Sequence, residues 1–259
     1  MSSENSSSSS LFGIVLIIFV AISFATGSTL AKIAFDDGAT PLSVLTGRTA
    51  MAAISVFVIL KVWGIPMVLP IRVRWTAIGM GVLVAVYSYG LLGSLVHIPV
   101  ALAVLTFYLY PILTSVGSWA IGQESITPRI VVCLITAFIG LGLALDIGGN
   151  FNSLGISMAA GAAVVFTILL LITNKLVAGQ DSRPISLHMM SVATLLYVVV
   201  DLHTQAMPLP TSLVGIAAYI GSGVFFAFSI IGLFIGMARI GAVRTTLFMN
   251  FEPVSSIVL

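Results

Sequence analysis

Nine apolar stretches divide the sequence, and most of them are long enough to cross a bilayer as a helix. A transmembrane helix needs about 20 apolar residues, because the hydrocarbon core is ~30 Å thick and each residue rises ~1.5 Å. Inside lipid the backbone must satisfy its own hydrogen bonds, so such stretches are helical. The expected spans are residues 11–35, 42–63, 75–96, 99–123, 128–145, 153–174, 185–200, 212–238 and 242–259. The sequence therefore predicts an all-α polytopic membrane protein.

Composition excludes other broad classes of protein. Hydrophobic residues make up 59% of the chain and charged residues only 7%, which leaves no room for a soluble domain. The formal net charge of +2 is too small to indicate a nucleic acid as a partner. A single cysteine, Cys133, excludes an internal disulfide and is expected to be a small buried apolar residue. The partner that composition does indicate is the lipid bilayer.

The basic residues predict how the chain is oriented in the membrane. With a cytoplasmic N-terminus, eight of the ten Lys and Arg residues fall at cytoplasmic helix ends, as the positive-inside rule requires. These eight are Lys61, Arg72, Arg74, Arg129, Lys175, Arg183, Arg239 and Arg244. Residues 1–10, MSSENSSSSS, lack the basic flank of a secretory signal and are expected to form a disordered cytoplasmic tail before an uncleaved first span.

Two prolines interrupt apolar stretches in equivalent places. Pro111 lies in the middle of its stretch and has no N–H to donate to the carbonyl of Phe107. Pro253 has the same effect on the carbonyl of Met249. Within hydrocarbon such a carbonyl needs a partner from a neighbouring helix, a hydroxyl or a ligand. Both prolines are therefore predicted to break their helices and to act as hinge points.

An internal repeat relates the two prolines. The spacing from Pro111 to Pro253, which we call the repeat offset, also separates Ile98 from Ile240 and brings glycine onto glycine four times. The glycine pairs are Gly13 with Gly155, Gly79 with Gly221, Gly81 with Gly223 and Gly90 with Gly232. Five spans lie between equivalent positions, and this odd number turns the second copy upside down in the bilayer. The architecture is that of secondary transporters, whose substrate site lies between inverted repeats beside broken helices.

The repeat divides the chain into two units. The first covers residues 11–147 with five transmembrane helices, and the second covers residues 153–259 with four. The prediction is an inverted repeat of five-helix units, a ten-helix fold in which the tenth helix is missing. A span that ends in mid-bilayer leaves its last carbonyls unpaired, so the sequence is expected to be part of a longer chain.

The residues around the two prolines resemble those of EamA-type permeases in the drug/metabolite transporter superfamily. The matching segments are residues 107–111, the turn 124–127, residues 238–242 and residues 251–254, together with Lys32, Pro41 and Arg48. The resemblance implies ten helices in two inverted repeats that line a central cavity. It also implies a carrier that moves small metabolites, amino acids or their derivatives among them, across the cytoplasmic membrane.

Glu252 is the most costly side chain to place in this chain, because a carboxylate within a span is penalised by a few kcal/mol. On a helix it shares one face with Thr245, Met249 and Ser256. The equivalent face of the first unit carries Ala103, Phe107, Tyr110 and Thr114. These faces predict the wall of a substrate cavity. Glu252 itself has two interpretations: it handles substrate or protons, or it is a structural carboxylate bonded to the other half.

Other polar and aromatic residues also allow two interpretations. Arg48 either faces the cavity or extends its charged end to the membrane surface. Lys32, followed by Asp36 and Asp37, forms either an ion pair at the cavity mouth or a solvated surface. The aromatic residues either stack on a substrate or serve packing and the membrane interface; they are Tyr87, Tyr89, Tyr108, Tyr110 and Trp119.

Three rival classes stand beside a carrier. The sequence distinguishes a channel only poorly from a carrier. Two broken helices in inverted repeats nevertheless favour alternating access over a fixed pore. A second alternative is a non-functional fragment of a permease that lacks its last helix. An intramembrane enzyme is disfavoured, because the sequence has no His-Glu-x-x-His and the serine of residues 220–223 is one place away from a Gly-x-Ser-Gly pattern.

Cofactors and energy sources are constrained by what the sequence contains. The three histidines, His97, His188 and His203, are scattered near span ends, so neither a metal site nor another cofactor is expected. A Gly-x-x-x-x-Gly-Lys-Ser/Thr loop is absent from the sequence, which favours a gradient over ATP as the energy source. A proton or other ion is then the candidate coupling partner. The sequence does not indicate an oligomeric state.

Overall fold

The described part of the chain is built from helices. The computed structural model describes residues 2–94, 97–144, 152–177, 181–204 and 207–258. The helices are α1 Ser2–Asp36, α2 Pro41–Val62, α3 Ile71–Ser94, α4 Val100–Phe107, α5 Tyr110–Ala120, α6 Pro128–Ala144, α7 Ser153–Val177, α8 Ser182–Thr204, α9 Leu213–Ile240, α10 Ala242–Met249 and α11 Phe251–Val258. The prediction of an all-α polytopic membrane protein is confirmed.

Within the described ranges, seven helical segments are long and apolar enough to cross a membrane. They are α1 from Leu11 onward, α2, α3, α4 with α5, α7, α8 and α9. The shorter apolar helix α6 and the pair α10 and α11 account for the remaining two of the nine expected stretches. Cys133 on α6 is exposed rather than buried as expected, because α6 packs only sparsely on the rest of the bundle.

Helix α1 begins earlier than the sequence predicts. Its backbone is helical from Ser2, whereas residues 1–10 are expected to form a disordered tail. A physical reason is that each residue added to an existing helix gains one hydrogen bond without the cost of a new nucleus. The apolar span from Leu11 supplies the helix on which the preceding residues continue.

The two predicted helix breaks are present. α4 ends at Phe107 and α5 begins at Tyr110, while α10 ends at Met249 and α11 begins at Phe251. Each proline then lies in the first turn of the new helix, where a missing N–H costs nothing because the first N–H groups have no intrahelical partner. The broken helices are confirmed, and hinge motion at Pro111 and Pro253 stays a prediction.

Carbonyls near the two breaks find partners in different ways. Asn250, between α10 and α11, donates its side-chain amide to the carbonyls of Thr246 at 3.2 Å and Leu247 at 3.0 Å. Near the first break, the carbonyl of Tyr110 accepts a hydrogen bond from the Thr167 hydroxyl of α7 at 3.4 Å. A side chain at one break and a neighbouring helix at the other thus donate the hydrogen bonds that water cannot supply inside a bilayer.

Helix boundaries follow the repeat offset found in the sequence. Val100–Phe107 corresponds residue for residue to Ala242–Met249, α3 and α9 begin at equivalent positions, and α2 and α8 end at equivalent positions. The contacts between the halves are exchanged in the same way: α1 packs on α9 and α3 on α7, while α2 packs on α9 and α3 on α8. Exchange of partners between equivalent helices is the signature of a pseudo-twofold axis.

The second half is inverted relative to the first. α1 and α3 point in the same direction, because α2 reverses the chain between them. α9, the counterpart of α3, runs antiparallel to α1: Gly13 lies against Ile240, and Asp37 at the other end bonds to Ser212. α7, the counterpart of α1, runs antiparallel to α3 in the same way. This geometry agrees with the inverted repeat predicted from the odd number of spans.

Paired glycines mark a close approach between the halves. A Cβ added to Gly13 would lie 2.7 Å from Cγ2 of Ile240, and a Cβ added to Gly155 would lie 2.8 Å from Cγ2 of Ile98. These are distances that real Cβ atoms do not adopt, so a side chain at either position forces a neighbouring group to move. The glycines recur in both units because the two contacts are equivalent.

We expect Gly155→Val to destabilise the protein by about 1–3 kcal/mol, the usual cost of overpacking a close contact. Gly161→Val on the same helix is the matched control, because a Cβ there meets nothing within 4 Å. Thermal unfolding in detergent measures both. Equal losses for the two variants would show that the effect comes from valine in a helix and not from the contact between the halves.

Candidate functional site

Glu252 lies in the first turn of α11, directly after the second helix break. Its carboxylate lies next to the hydroxyl of Tyr108 and within electrostatic reach of Arg48. The first turn of a helix favours a negative charge, because its free N–H groups carry partial positive charge. The break therefore gives a carboxylate a stabilised position inside the span.

Arg48 lies inside the bundle, where α1, α2 and α9 meet. Its Nε donates a hydrogen bond to Oγ of Ser222 at 2.7 Å, and its Nη2 donates to the carbonyl of Gly27 at 2.6 Å. Its guanidinium carbon lies 5.7 Å from the ring centre of Phe226, a cation–π distance. Of the two interpretations left open by the sequence, the geometry agrees with the inward one. Arg48 connects the first half to α9 of the second.

Five aromatic side chains, which we call the aromatic cluster, surround the first helix break. They are Tyr87, Phe107, Tyr108, Tyr110 and Phe166. Ring centres are 4.7 Å apart for Tyr87 and Phe166, 4.9 Å for Tyr110 and Phe166, and 5.2 Å for Phe107 and Tyr110. Aromatic faces are electron-rich and attract cations. The cluster draws on α3, α4, α5 and α7, so both halves contribute to it.

Opposite charges and aromatic surface converge on one region. Glu252 interacts electrostatically with Arg48 and with the cluster residues Tyr87, Tyr108 and Tyr110. A carboxylate can bind an ammonium group, a guanidinium can bind a carboxylate, and aromatic rings can bind an apolar group. The arrangement is thus suited to a small molecule that carries both charges.

Most residues predicted to line a cavity lie in or beside this region. Phe107 and Tyr110 belong to the aromatic cluster. Thr114, one turn further along α5, and Met249, the last residue of α10, are buried. The side chain of Ser256 is outside the described residues. Contact of any of these side chains with a substrate stays a prediction.

Some aromatic residues could be assigned only with the structure. Tyr87 and Tyr108 join the cluster, whereas Tyr89 and Trp119 are 55% and 62% exposed on the outside of the bundle. Phe166 has no polar neighbour in sequence that marks it as a site residue. It does recur at the repeat offset as the counterpart of Phe24, so the repeat contained a signal for this position.

Potential metal ligands are dispersed over the described part of the chain. Among the residues that the structure describes, no three His, Cys, Asp or Glu side chains are grouped as metal ligands would be. A cavity of about 920 Å³ lies away from Glu252, at the end of the bundle where Glu124, Arg129 and Arg244 meet. The side chains around Glu252 offer charge pairing and aromatic contact.

The inverted repeats, the broken helices and the charges inside the bundle define a multi-pass membrane protein of the transporter class. The model of the EamA-like transporter family matches residues 11–145, just over half of the chain, and the chain belongs to this family. The resemblance to EamA-type permeases is thus confirmed, and the family identifies the protein as a membrane transporter. No curated protein matches the sequence.

A solved crystal structure of another protein has a similar fold. The two chains superpose with a TM-score of 0.65 over 97% of this chain and 95% of the other, at 21% sequence identity. At that identity the likeness concerns the fold alone.

Proposed function

We propose that the protein is a secondary transporter that moves small zwitterionic metabolites, such as amino acids or their derivatives, by alternating access. One observation carries the proposal: Arg48 of the first half is held inside the bundle by Ser222 and the carbonyl of Gly27, and Glu252 of the second half lies within its electrostatic reach. Charges buried in a span are costly and usually mark a substrate or ion pathway. Each half supplies one charge, so a substrate bound to both joins the halves.

The inverted repeat supports alternating access over a fixed pore. Each half has one broken helix, and the breaks occupy equivalent positions beside the proposed site. In such folds one repeat rocks against the other and exposes a central site to each side in turn. Pro111 and Pro253 are the proposed hinge points.

The aromatic cluster supports a substrate with an apolar part beside its two charges. In this proposal Glu252 binds the ammonium group, Arg48 binds the carboxylate, and the rings pack against the remainder. Phe107, Tyr110, Thr114, Met249 and Ser256 complete the proposed cavity wall. Transport, rather than catalysis at these residues, is the proposed activity.

Orientation and energy supply belong to the same proposal. A cytoplasmic N-terminus in the cytoplasmic membrane is supported by the basic residues at helix ends, such as Lys61 at the end of α2, Lys175 at the end of α7 and Arg239 at the end of α9. An ion gradient drives transport, and Glu252 is the proposed carrier of a coupling proton.

Counterflow in liposomes tests the proposal. Vesicles that contain the purified protein are loaded with one unlabelled amino acid at a time, diluted, and given a trace of the same labelled compound outside. A carrier accumulates label transiently above equilibrium, whereas a channel only equilibrates it. Protein-free vesicles are the control. Equilibration without overshoot would replace the carrier with a channel, and no uptake from the full panel of amino acids would exclude the substrate class.

A further inference from the structure

The loop between α5 and α6 extends one carboxylate into the second half. Gly122, with a φ of +69°, turns the chain after α5. Oε1 of Glu124 then accepts hydrogen bonds from the backbone N–H groups of Ala242 at 2.8 Å and Val243 at 3.2 Å. These residues begin α10, whose first N–H groups have no partner within the helix. A carboxylate of the first half thus caps a helix of the second.

Gly241 leaves the space that this carboxylate occupies. It is the N-cap residue of α10, has a φ of +80°, and contributes no side-chain cap. A Cβ at Gly241 would lie 2.8 Å from Oε2 of Glu124. The usual capping side chains are therefore excluded at this position, and the cap comes from the other half.

The same loop is tied to α7. Nδ2 of Asn174 donates to Oε1 of Gln123 at 2.9 Å and to Oε1 of Glu124 at 3.4 Å. Nε2 of Gln123 donates to the carbonyl of Leu171 at 3.1 Å. Glu124 also borders the cavity of about 920 Å³ at this end of the bundle. The contact therefore joins three elements and lies beside open space.

Between this contact and the candidate site, α5 carries two buried hydroxyls with unmet hydrogen-bonding capacity. Thr114 and Ser118 are both 0% exposed, and their hydroxyls find no partner among the described residues. Ser115, on the same helix, donates instead to the carbonyl of Pro111 at 2.9 Å. Unpartnered buried hydroxyls favour any state in which water reaches them. α5 also packs on α10, and we call the contact between these two helices the seam.

A second carboxylate holds the opposite end of α9. Oδ2 of Asp37 accepts from the N–H groups of Thr211 at 2.9 Å and Ser212 at 2.8 Å, directly before α9 begins. These hydrogen bonds, that from Ser212 above all, hold the pKa of the Asp37 carboxyl below its usual value. α9 has 28 residues and is about 40 Å long at ~1.5 Å per residue. Asp37 and Glu124 therefore lie on opposite faces of the membrane.

We propose that Glu124 and Asp37 are latches, one on each face of the membrane, and that each must release in turn during a cycle. Release of Glu124 separates α5 from α10 and hydrates Thr114 and Ser118, while Asp37 keeps the other face closed. The purpose of the latches rests on the proposed function. Their effect on access to the seam does not depend on any substrate.

Access to the seam is measured with an introduced thiol. In a Cys133→Ala background, Ser118→Cys is labelled in liposomes with a membrane-impermeant maleimide added on the face that carries Glu124, and the rate is normalised to labelling in SDS. Adding Glu124→Gln is expected to raise the rate about tenfold, equivalent to ~1.4 kcal/mol in the opening equilibrium. Gly241→Ala, which displaces the carboxylate sterically, is expected to have the same effect. Asp37→Asn is expected to leave the rate unchanged or lower it.

Controls separate a latch from general loosening. Ser125→Ala on the same loop is expected to have the background rate, as is Asp36→Asn beside Asp37. The proposal is overturned if neither Glu124→Gln nor Gly241→Ala exceeds Ser125→Ala, or if the background protein is already labelled at the raised rate. A raised rate without counterflow leaves the latches in place and removes the proposed substrate class. Counterflow with an unchanged labelling rate does the reverse.

Discussion

Glu252→Gln is expected to lower counterflow roughly ten- to a hundredfold while the protein still inserts and folds. Glutamine keeps the shape of the side chain and its hydrogen-bonding capacity but loses the charge that faces Arg48 and the proposed ammonium group. A hydrogen bond to a charged group is worth about 1.5–3 kcal/mol, and about 1.4 kcal/mol corresponds to a factor of ten. The initial rate of labelled uptake and the thermal midpoint are measured on the same sample.

Two further variants show whether the loss of transport comes from the Glu252 carboxylate itself. Asp36→Asn, which removes an exposed carboxylate at the membrane surface, is the matched control and is expected to transport at the wild-type rate. Tyr108→Phe removes the hydroxyl beside Glu252 and is expected to have a smaller effect than Glu252→Gln. Wild-type counterflow by Glu252→Gln would assign the carboxylate a structural role, the alternative that the sequence left open.

Arg48→Gln is expected to reduce both stability and transport. The substitution removes two short hydrogen bonds from a charged donor, to Ser222 and to the carbonyl of Gly27, and leaves Glu252 without its opposite charge. We expect a loss of about 3 kcal/mol in the free energy of unfolding, the upper end for a charged hydrogen bond. Arg48→Lys is expected to recover part of the stability but little transport, because an ammonium lacks the planar fork.

The double variant Arg48→Gln with Glu252→Gln decides whether the two charges act together. If they do, its loss of stability is smaller than the sum of the two single losses, because no charge is left without its opposite. Arg239→Gln, at an exposed helix end, is the control and is expected to change stability by less than about 0.5 kcal/mol. Strict additivity of the two single losses would separate Arg48 from Glu252 and weaken the binding of a zwitterion between them.

The helix breaks explain how costly groups are accommodated inside the bilayer. Ending α10 at Met249 exposes carbonyls that Asn250 satisfies, and starting α11 at Phe251 places Glu252 in a first turn that favours negative charge. Glu124 uses the same physics at the start of α10. Free helix N-termini thus serve twice in this fold, at the proposed substrate site and at the proposed latch.

The sequence by itself determined the helical class, the apolar spans, both breaks and the inverted repeat. These features are local or periodic: apolar length dictates a span, proline removes an N–H, and an odd number of spans inverts a copy. The constant repeat offset even relates helix boundaries in the two halves: Val100–Phe107 corresponds to Ala242–Met249, and α3 and α9 begin at equivalent positions. Glu252 and Tyr110 could be singled out because charge and the residue before a break are costly or unusual at that depth.

Only the tertiary structure decided which distant residues meet. It turned Arg48 inward onto Ser222, brought Phe166 into the aromatic cluster, and joined Glu124 to the first residues of α10 in the other half. Such contacts leave no period and no motif in the sequence, because they depend on how two separately formed halves pack against each other. The contacts on which the proposed function rests lie across that packing surface.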